Sequence, residues 1–151
     1  MTSTSMDHTV RVEHHFEAPA ARLFAACSDP EQLAQWAWGS LGRLQRAEVD
    51  FRVGGSFLAE TTRPDGAVWR FEGTYTAIEP EARIAHTLVW HAPMGYPTVP
   101  EHLEIAIADN ASGSTLELTH SGLPDQRSAD GHREGWSNVL ETLADFLRRS
   151  S

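Results

Sequence analysis

Gly135-Trp136-Ser137-Asn138-Val139-Leu140-Glu141-Thr142-Leu143-Ala144-Asp145-Phe146-Leu147-Arg148-Arg149 is the stretch that decides the fold. Trp136, Val139, Leu140, Leu143, Phe146 and Leu147 recur at helical spacing and form one face of an amphipathic helix. His132 lies one turn earlier on that face. Arg148 and Arg149 close the end where cations suit the helix dipole. The spacing predicts a helix from about Ala129 to Arg149, ~30 Å long at 1.5 Å per residue. One apolar stripe calls for one partner surface, and a single long helix covers one face of one sheet.

Upstream, the pattern supplies that sheet. From Thr9 to Glu17 the chain alternates, with Val10, Val12, His14 and Phe16 on one face. Pro19 suits a helix start, and Leu23, Phe24 and Cys27 follow at helical spacing. Asp29-Pro30-Glu31-Gln32 then reads as a capping box opening a second short helix that ends near Trp36. Between Arg43 and Ser121, alternating runs are separated by turn signals. The runs are Ala47 to Phe51, Ser56 to Thr62, Val68 to Ile78, Ile84 to Trp90, Leu103 to Ile107 and Leu116 to His120. Gly54-Gly55, Arg63-Pro64-Asp65-Gly66, Glu79-Pro80-Glu81, a Pro-rich loop from Ala92 to Glu101, and Asn110 to Gly113 punctuate them. The expected fold is α+β: about seven antiparallel strands in a curved sheet, two short helices after the first strand, and a long C-terminal helix. Residues 1–8 are expected to be a flexible N-terminus and 9–150 a single domain.

Composition narrows the function. Net charge is −9, which opposes binding to phosphate backbones or anionic membranes. All 12 cationic residues are Arg, so a Schiff-base lysine and the P-loop lysine are excluded. Cys27 is the only cysteine, which excludes an intramolecular disulfide and a multi-cysteine zinc site. No apolar run approaches the ~20 residues of a membrane-spanning helix. Met1 to Asp7 is polar and lacks the basic-then-apolar pattern of a secretory leader, so a cytoplasmic location is expected.

Several motifs together resemble one family. They are Phe16-Glu17-Ala18-Pro19 with Leu23-Phe24, Ser28-Asp29-Pro30-Glu31-Gln32-Leu33 with Trp36, and Asp50-Phe51-Arg52-Val53-Gly54-Gly55-Ser56-Phe57. Pro64-Asp65-Gly66, Gly73-Thr74-Tyr75 with Ile78-Glu79-Pro80, and Thr119-His120-Ser121-Gly122-Leu123-Pro124 follow. His132, Gly135-Trp136, Leu140 and Leu143 complete the series. In this order they resemble bacterial proteins similar to the C-terminal domain of the activator of heat-shock-protein-90 ATPase, within the START and birch-pollen-allergen superfamily. The resemblance implies a helix-grip fold with a cavity between concave sheet and last helix. It does not imply one function, because superfamily members include carriers of lipids, sterols and hormones as well as cyclases and dehalogenases. Chaperone activation in the eukaryotic protein needs a further N-terminal domain, which this chain is expected to lack.

The candidate ligand-binding residues are Trp36, Trp69, Phe71, Trp90, His120, His132, Trp136 and Leu140. Alternation turns Trp69, Phe71 and Trp90 inward to face Trp136, and His120 and His132 would orient a ligand. A filled aromatic core is the competing reading. His14, His86 and His120 interrupt apolar faces, but no close His-x-His or His-x-x-x-His spacing appears. His14 and His120 would sit about 10 Å apart on neighbouring strands, too far for one ion. No metal or cofactor is expected. His132-Arg133-Glu134 has the His-x-Glu spacing of zinc deaminases without their Pro-Cys-x-x-Cys partner. Ser121 and Ser137 lack a nucleophile elbow. Glu48 and Asp50 should face solvent and pair with Arg. Three functions follow: a module binding an apolar, aromatic or lipid-like small molecule, a cyclase, hydrolase or isomerase using a pocket histidine, or a chaperone-associated interaction protein. A homodimer is an open alternative; nucleic acid and membrane are not expected partners.

Overall fold

The computed structural model describes residues 8–37, 45–62, 64–91, 101–123 and 125–149, and for Trp90 and His91 the backbone alone. Its elements run β1 (His8–Phe16), α1 (Ala20–Ser28), α2 (Pro30–Trp36), β2 (Arg46–Val49), β3 (Ser56–Thr62), β4 (Val68–Glu79), β5 (Arg83–His91), β6 (Glu101–Asn110), β7 (Gly113–Leu123) and α3 (Gln126–Arg149). The seven strands form one antiparallel sheet in the order β1-β7-β6-β5-β4-β3-β2. This is the expected α+β helix-grip arrangement, with α3 held in the concave face.

The alternation is observed where it was read. Val10, Leu116, Leu118 and His120 are fully buried or nearly so, while Arg11, Thr9 and Glu117 face outward. One cross-sheet row carries the inward faces of five strands: Tyr75 opposite His86, His86 opposite Leu103, Leu103 opposite His120, and His120 opposite Val10. The helix stripe is equally clear. Leu140, Leu143 and Leu147 are buried in the main core with Leu23, Ile105 and Leu118, and Trp136, Val139 and Phe146 pack at its margin.

Several local features differ from the sequence reading, each for a local reason. Helix α3 starts at Gln126 rather than Ala129, because Asp125 caps it by accepting from the Ser128 N–H at 2.8 Å. Gln32 does not complete a capping box. The Asp29 N–H already donates to Ala25 at the end of α1, so Gln32 bonds the Asp29 carboxylate at 3.0 Å while Asp29 accepts from the Glu31 N–H. Phe51 lies past the end of β2 but still packs inward against Phe24 and Tyr75. Strand β6 begins at Glu101, whose side chain therefore occupies a core position in line with Leu103, Ile105 and Ile107.

Side chains absent from the sequence pattern also position the core. Pro19 offers no cap to α1, and Asp109 from the end of β6 accepts the Ala20 N–H at 2.8 Å instead. Gly113 has φ +147, and a Cβ there would meet the Phe16 carbonyl oxygen at 2.1 Å, so this hairpin residue lets β1 close against β7. Glu48 and Asp50 pair with Arg46 and Arg52 on the exposed face, as alternation required.

Candidate ligand cavity

Between the concave sheet and α3 lies a cavity of about 870 Å³. Its walls are mostly apolar. Trp36, Trp69, Phe71, Trp136 and Leu140 all border it, as does His132. Trp36 ends α2 and is fixed by its indole N–H donating to the Ala26 carbonyl at 2.9 Å. Trp69 and Phe71 come from β4. His132, Trp136 and Leu140 sit at successive turns of α3. The backbone of Trp90 pairs with Phe71 on β5, but its side chain lies outside the described residues, as does the Pro-rich loop 92–100. Asp65, from the β3–β4 turn, and Asp125 and Arg127, at the start of α3, are exposed charged members of the wall and mark a polar rim.

His120 is not on the cavity wall. It is fully buried behind His132 and Trp136, with ring centroids 4.8 and 6.0 Å away. The Trp136 indole N–H donates to His120 Nδ1 at 2.9 Å, and His120 Nε2 lies 2.7 Å from Glu101 Oε1. An indole nitrogen can only donate, so Nδ1 must accept and Nε2 must carry the ring hydrogen. Nε2–H therefore donates to the Glu101 carboxylate, itself 8% exposed. His132 donates from Nδ1 to the Ser128 carbonyl at 2.7 Å, which leaves its lone pair on Nε2. Burial lowers its pKa, so the ring is neutral near pH 7.

Sequence reasoning missed Glu101, although extending the Leu103-Ile105-Ile107 alternation back by two places Glu101 inside. It also left Cys27, Tyr75 and His86 out of the site, and all three border the cavity. Burial pushes the Cys27 thiol up to about 12, so it is an inert wall group. Burial likewise raises Tyr75, with Cys27 adding to the effect. His86 packs on Phe57 at 4.4 Å and Tyr75 at 5.8 Å, and burial lowers its pKa to about 4 despite a hydrogen bond to the Thr87 carbonyl.

The histidines considered for a metal do not converge: His14 stands opposite Leu116 and His120 opposite Val10, four positions apart along the strand pair. The structure instead brings Glu101, His120 and His132 together, each offering an atom within 4.8 Å of the others. A metal on His120 Nε2 would displace its hydrogen to Nδ1, directly against the Trp136 N–H. The observed hydrogen bonds thus suit a polar relay better than a metal site.

The sequence over residues 17–148 matches the family described as Activator of Hsp90 ATPase homolog 1-like protein. The chain belongs to this family. Solved structures agree with the family's fold. A Rhizobium leguminosarum protein is 28% identical with a TM-score of 0.82, the match covering 95% of this chain and 96% of that one. A Chromobacterium violaceum protein is 27% identical, TM-score 0.78, with coverage of 91% and 95%. A protein of the Hsp90-activator-homologue family from Silicibacter pomeroyi is 24% identical, TM-score 0.82, with coverage of 95% and 100%. No curated protein matches the sequence. Family membership supports a START-like binding domain. No helix among the described residues is long and apolar enough to cross a membrane.

Proposed function

We propose that this chain binds a small, largely apolar molecule between its sheet and α3. The observation that carries this reading is the cavity of about 870 Å³, within the range of ligand sites and far above the voids of a packed core. Trp36, Trp69, Phe71, Trp136 and Leu140 supply apolar contact, and His132, backed by His120, supplies orientation. Trp90 belongs to the same proposed set by its place opposite Phe71. An interaction-protein role has less support, since Val53 and Val68 are the exposed large apolar side chains among the described residues and make no broad face.

Tryptophan fluorescence and thermal melts against straight-chain and polycyclic aromatic compounds test the reading. A ligand at about 100 times its Kd stabilises by ~2.7 kcal/mol, or about 5–10 °C for a chain of this size. Ala59 is buried, borders the cavity and lies opposite Phe71 and Ala47. Ala59→Phe should project a ring into the void and weaken binding by about tenfold or more, with a cooperative melt retained. Binding left intact in that variant would place the ligand elsewhere.

A further inference from the structure

We propose that the sheet side of the cavity selects a neutral ligand carrying a hydroxyl group, which accepts from Tyr75 and donates to His86. The inference rests on the cavity reading and adds the chemistry of the head group.

Both residues border the void. Tyr75 on β4 stands directly opposite His86 on β5 in the inward row, and their rings meet edge-on with centroids 5.8 Å apart. The Phe57 ring packs on both, its centroid 4.4 Å from that of His86 and 5.7 Å from that of Tyr75, and Phe51 packs on Tyr75 at 5.1 Å. The His86 tautomer is fixed. A carbonyl oxygen can only accept, so Nδ1 carries the ring hydrogen and donates to Thr87 at 2.8 Å, while Nε2 keeps its lone pair. A Cβ on Gly73 would collide with that same Thr87 oxygen, so the bare backbone there lets the carbonyl hold its place.

Among the described residues, neither the Tyr75 hydroxyl nor His86 Nε2 has a hydrogen-bond partner, and the sealed side-chain polar atom without one is Arg70 Nε. The Tyr75 hydroxyl and His86 Nε2 therefore keep accessible surface, and the opening their residues border is the cavity. A ligand that displaces water from these two atoms must replace both bonds or lose affinity.

This side of the cavity is uncharged. Burial keeps Tyr75 protonated, lowers His86 to about 4 and pushes Cys27, in the same core cluster as Tyr75, up to about 12. The charged residues of the wall, Asp65, Asp125 and Arg127, are exposed at the rim. An ionic head placed against Tyr75 and His86 would lose its hydration with no opposite charge to replace it. A carboxylate would also face the Nε2 lone pair. A hydroxyl has one donor and two acceptor lone pairs, so it satisfies a donor and an acceptor set side by side. His132 presents a second Nε2 acceptor, on the α3 wall, and substitution tells the two histidines apart.

The test keeps one apolar body and changes its head: 1-decanol, its methyl ether, decylamine and decanoate, each below its aggregation limit, at pH 7 and about 0.15 M salt. Tryptophan fluorescence and melting temperature follow binding to the parent protein, Tyr75→Phe, His86→Phe and His132→Phe. The ether accepts a hydrogen bond but donates none, so the gap between alcohol and ether reads the bond to His86. The expected result is alcohol binding about fivefold or more tighter than ether, and about tenfold or more tighter than amine or decanoate. His86→Phe should close the gap between alcohol and ether, and His132→Phe should leave it. Tyr75→Phe, which removes one oxygen, should weaken alcohol and ether together by about fivefold. The ligand series in the parent and in Tyr75→Phe carries the test even where a histidine variant does not melt cooperatively. Equal binding of alcohol and ether, a preference for either charged head, a gap that survives His86→Phe, or alcohol binding unchanged by Tyr75→Phe overturns the head-group assignment and leaves the cavity reading standing. If none of the four binds and the aromatic series is also silent, both readings fall.

Discussion

Replacing His120 with Leu is expected to cost about 3 kcal/mol or more of unfolding free energy, the range seen when one member of a buried polar pair is removed. His120 is fully enclosed and both ring nitrogens are used. Its loss strands the Trp136 N–H without an acceptor and the Glu101 carboxylate without its donor, and unmet buried groups cost more than a made bond returns. The double variant Glu101→Leu/His120→Leu should recover most of the loss, because an apolar pair removes the stranded charge. Urea denaturation of the two single variants and the double one measures this. A single-variant loss below about 1 kcal/mol would mean that water reaches Glu101 and the relay is not a sealed structural unit.

The second large effect is acid sensitivity at His86. The folded pKa of about 4 lies below the unfolded value of 6.5. Between those values the unfolded chain binds the proton and the folded one does not, so stability falls as pH drops from 6.5 towards 4. At 1.36 kcal/mol per pKa unit the loss reaches about 3 kcal/mol. His86 shows accessible area because it borders the cavity, while Phe57 and Tyr75 pack on its ring. Water in the cavity would soften the effect. His132, also lowered by burial, adds a contribution of the same sign. Asp125 and Glu104, lowered by a backbone N–H and by Arg83, lose their contributions only at lower pH. Comparing the stability of the parent with His86→Leu from pH 7 to pH 4 isolates the term: the gap should shift in favour of the variant by about 2–3 kcal/mol. Parallel curves would show that the ring is protonated at no cost inside the fold.

Period-two alternation made the sheet legible, and it did so where strands are regular. Val10 with Val12, and Leu116 with Leu118, point inward because each strand keeps its register. The helix stripe from Trp136 to Leu147 was legible for the same kind of reason. Two features escaped. Pro100 suggested a loop and cut Glu101 from the alternation it continues. A register shift between Tyr75 and Ala77 turns both Tyr75 and Ile78 inward, although simple alternation sets them on opposite faces. The cavity wall is a different matter. Tyr75, His86, Leu103 and His120 share one inward row, yet Tyr75, His86 and Leu103 border the void and His120 is sealed behind α3. Which inward side chain meets space and which meets atoms depends on sheet curvature and on where the helix lies, and neither leaves a mark in a period of two.

The place of β1 carries a consequence for how the chain assembles. Strands β2 to β7 each pair with a neighbour in sequence, whereas β1 pairs only with β7, from the far end of the sheet-forming chain. Closing so long a loop costs entropy before any contact repays it. The meander is thus expected to form first, with β1 arriving late. Helix α3 makes its most extensive strand contact with β1, so it docks firmly only then. Val10→Ala should speed unfolding and leave the refolding rate nearly unchanged, a φ-value near zero. The cavity would be the last part of the molecule to close, and a bound ligand would act chiefly by slowing its reopening.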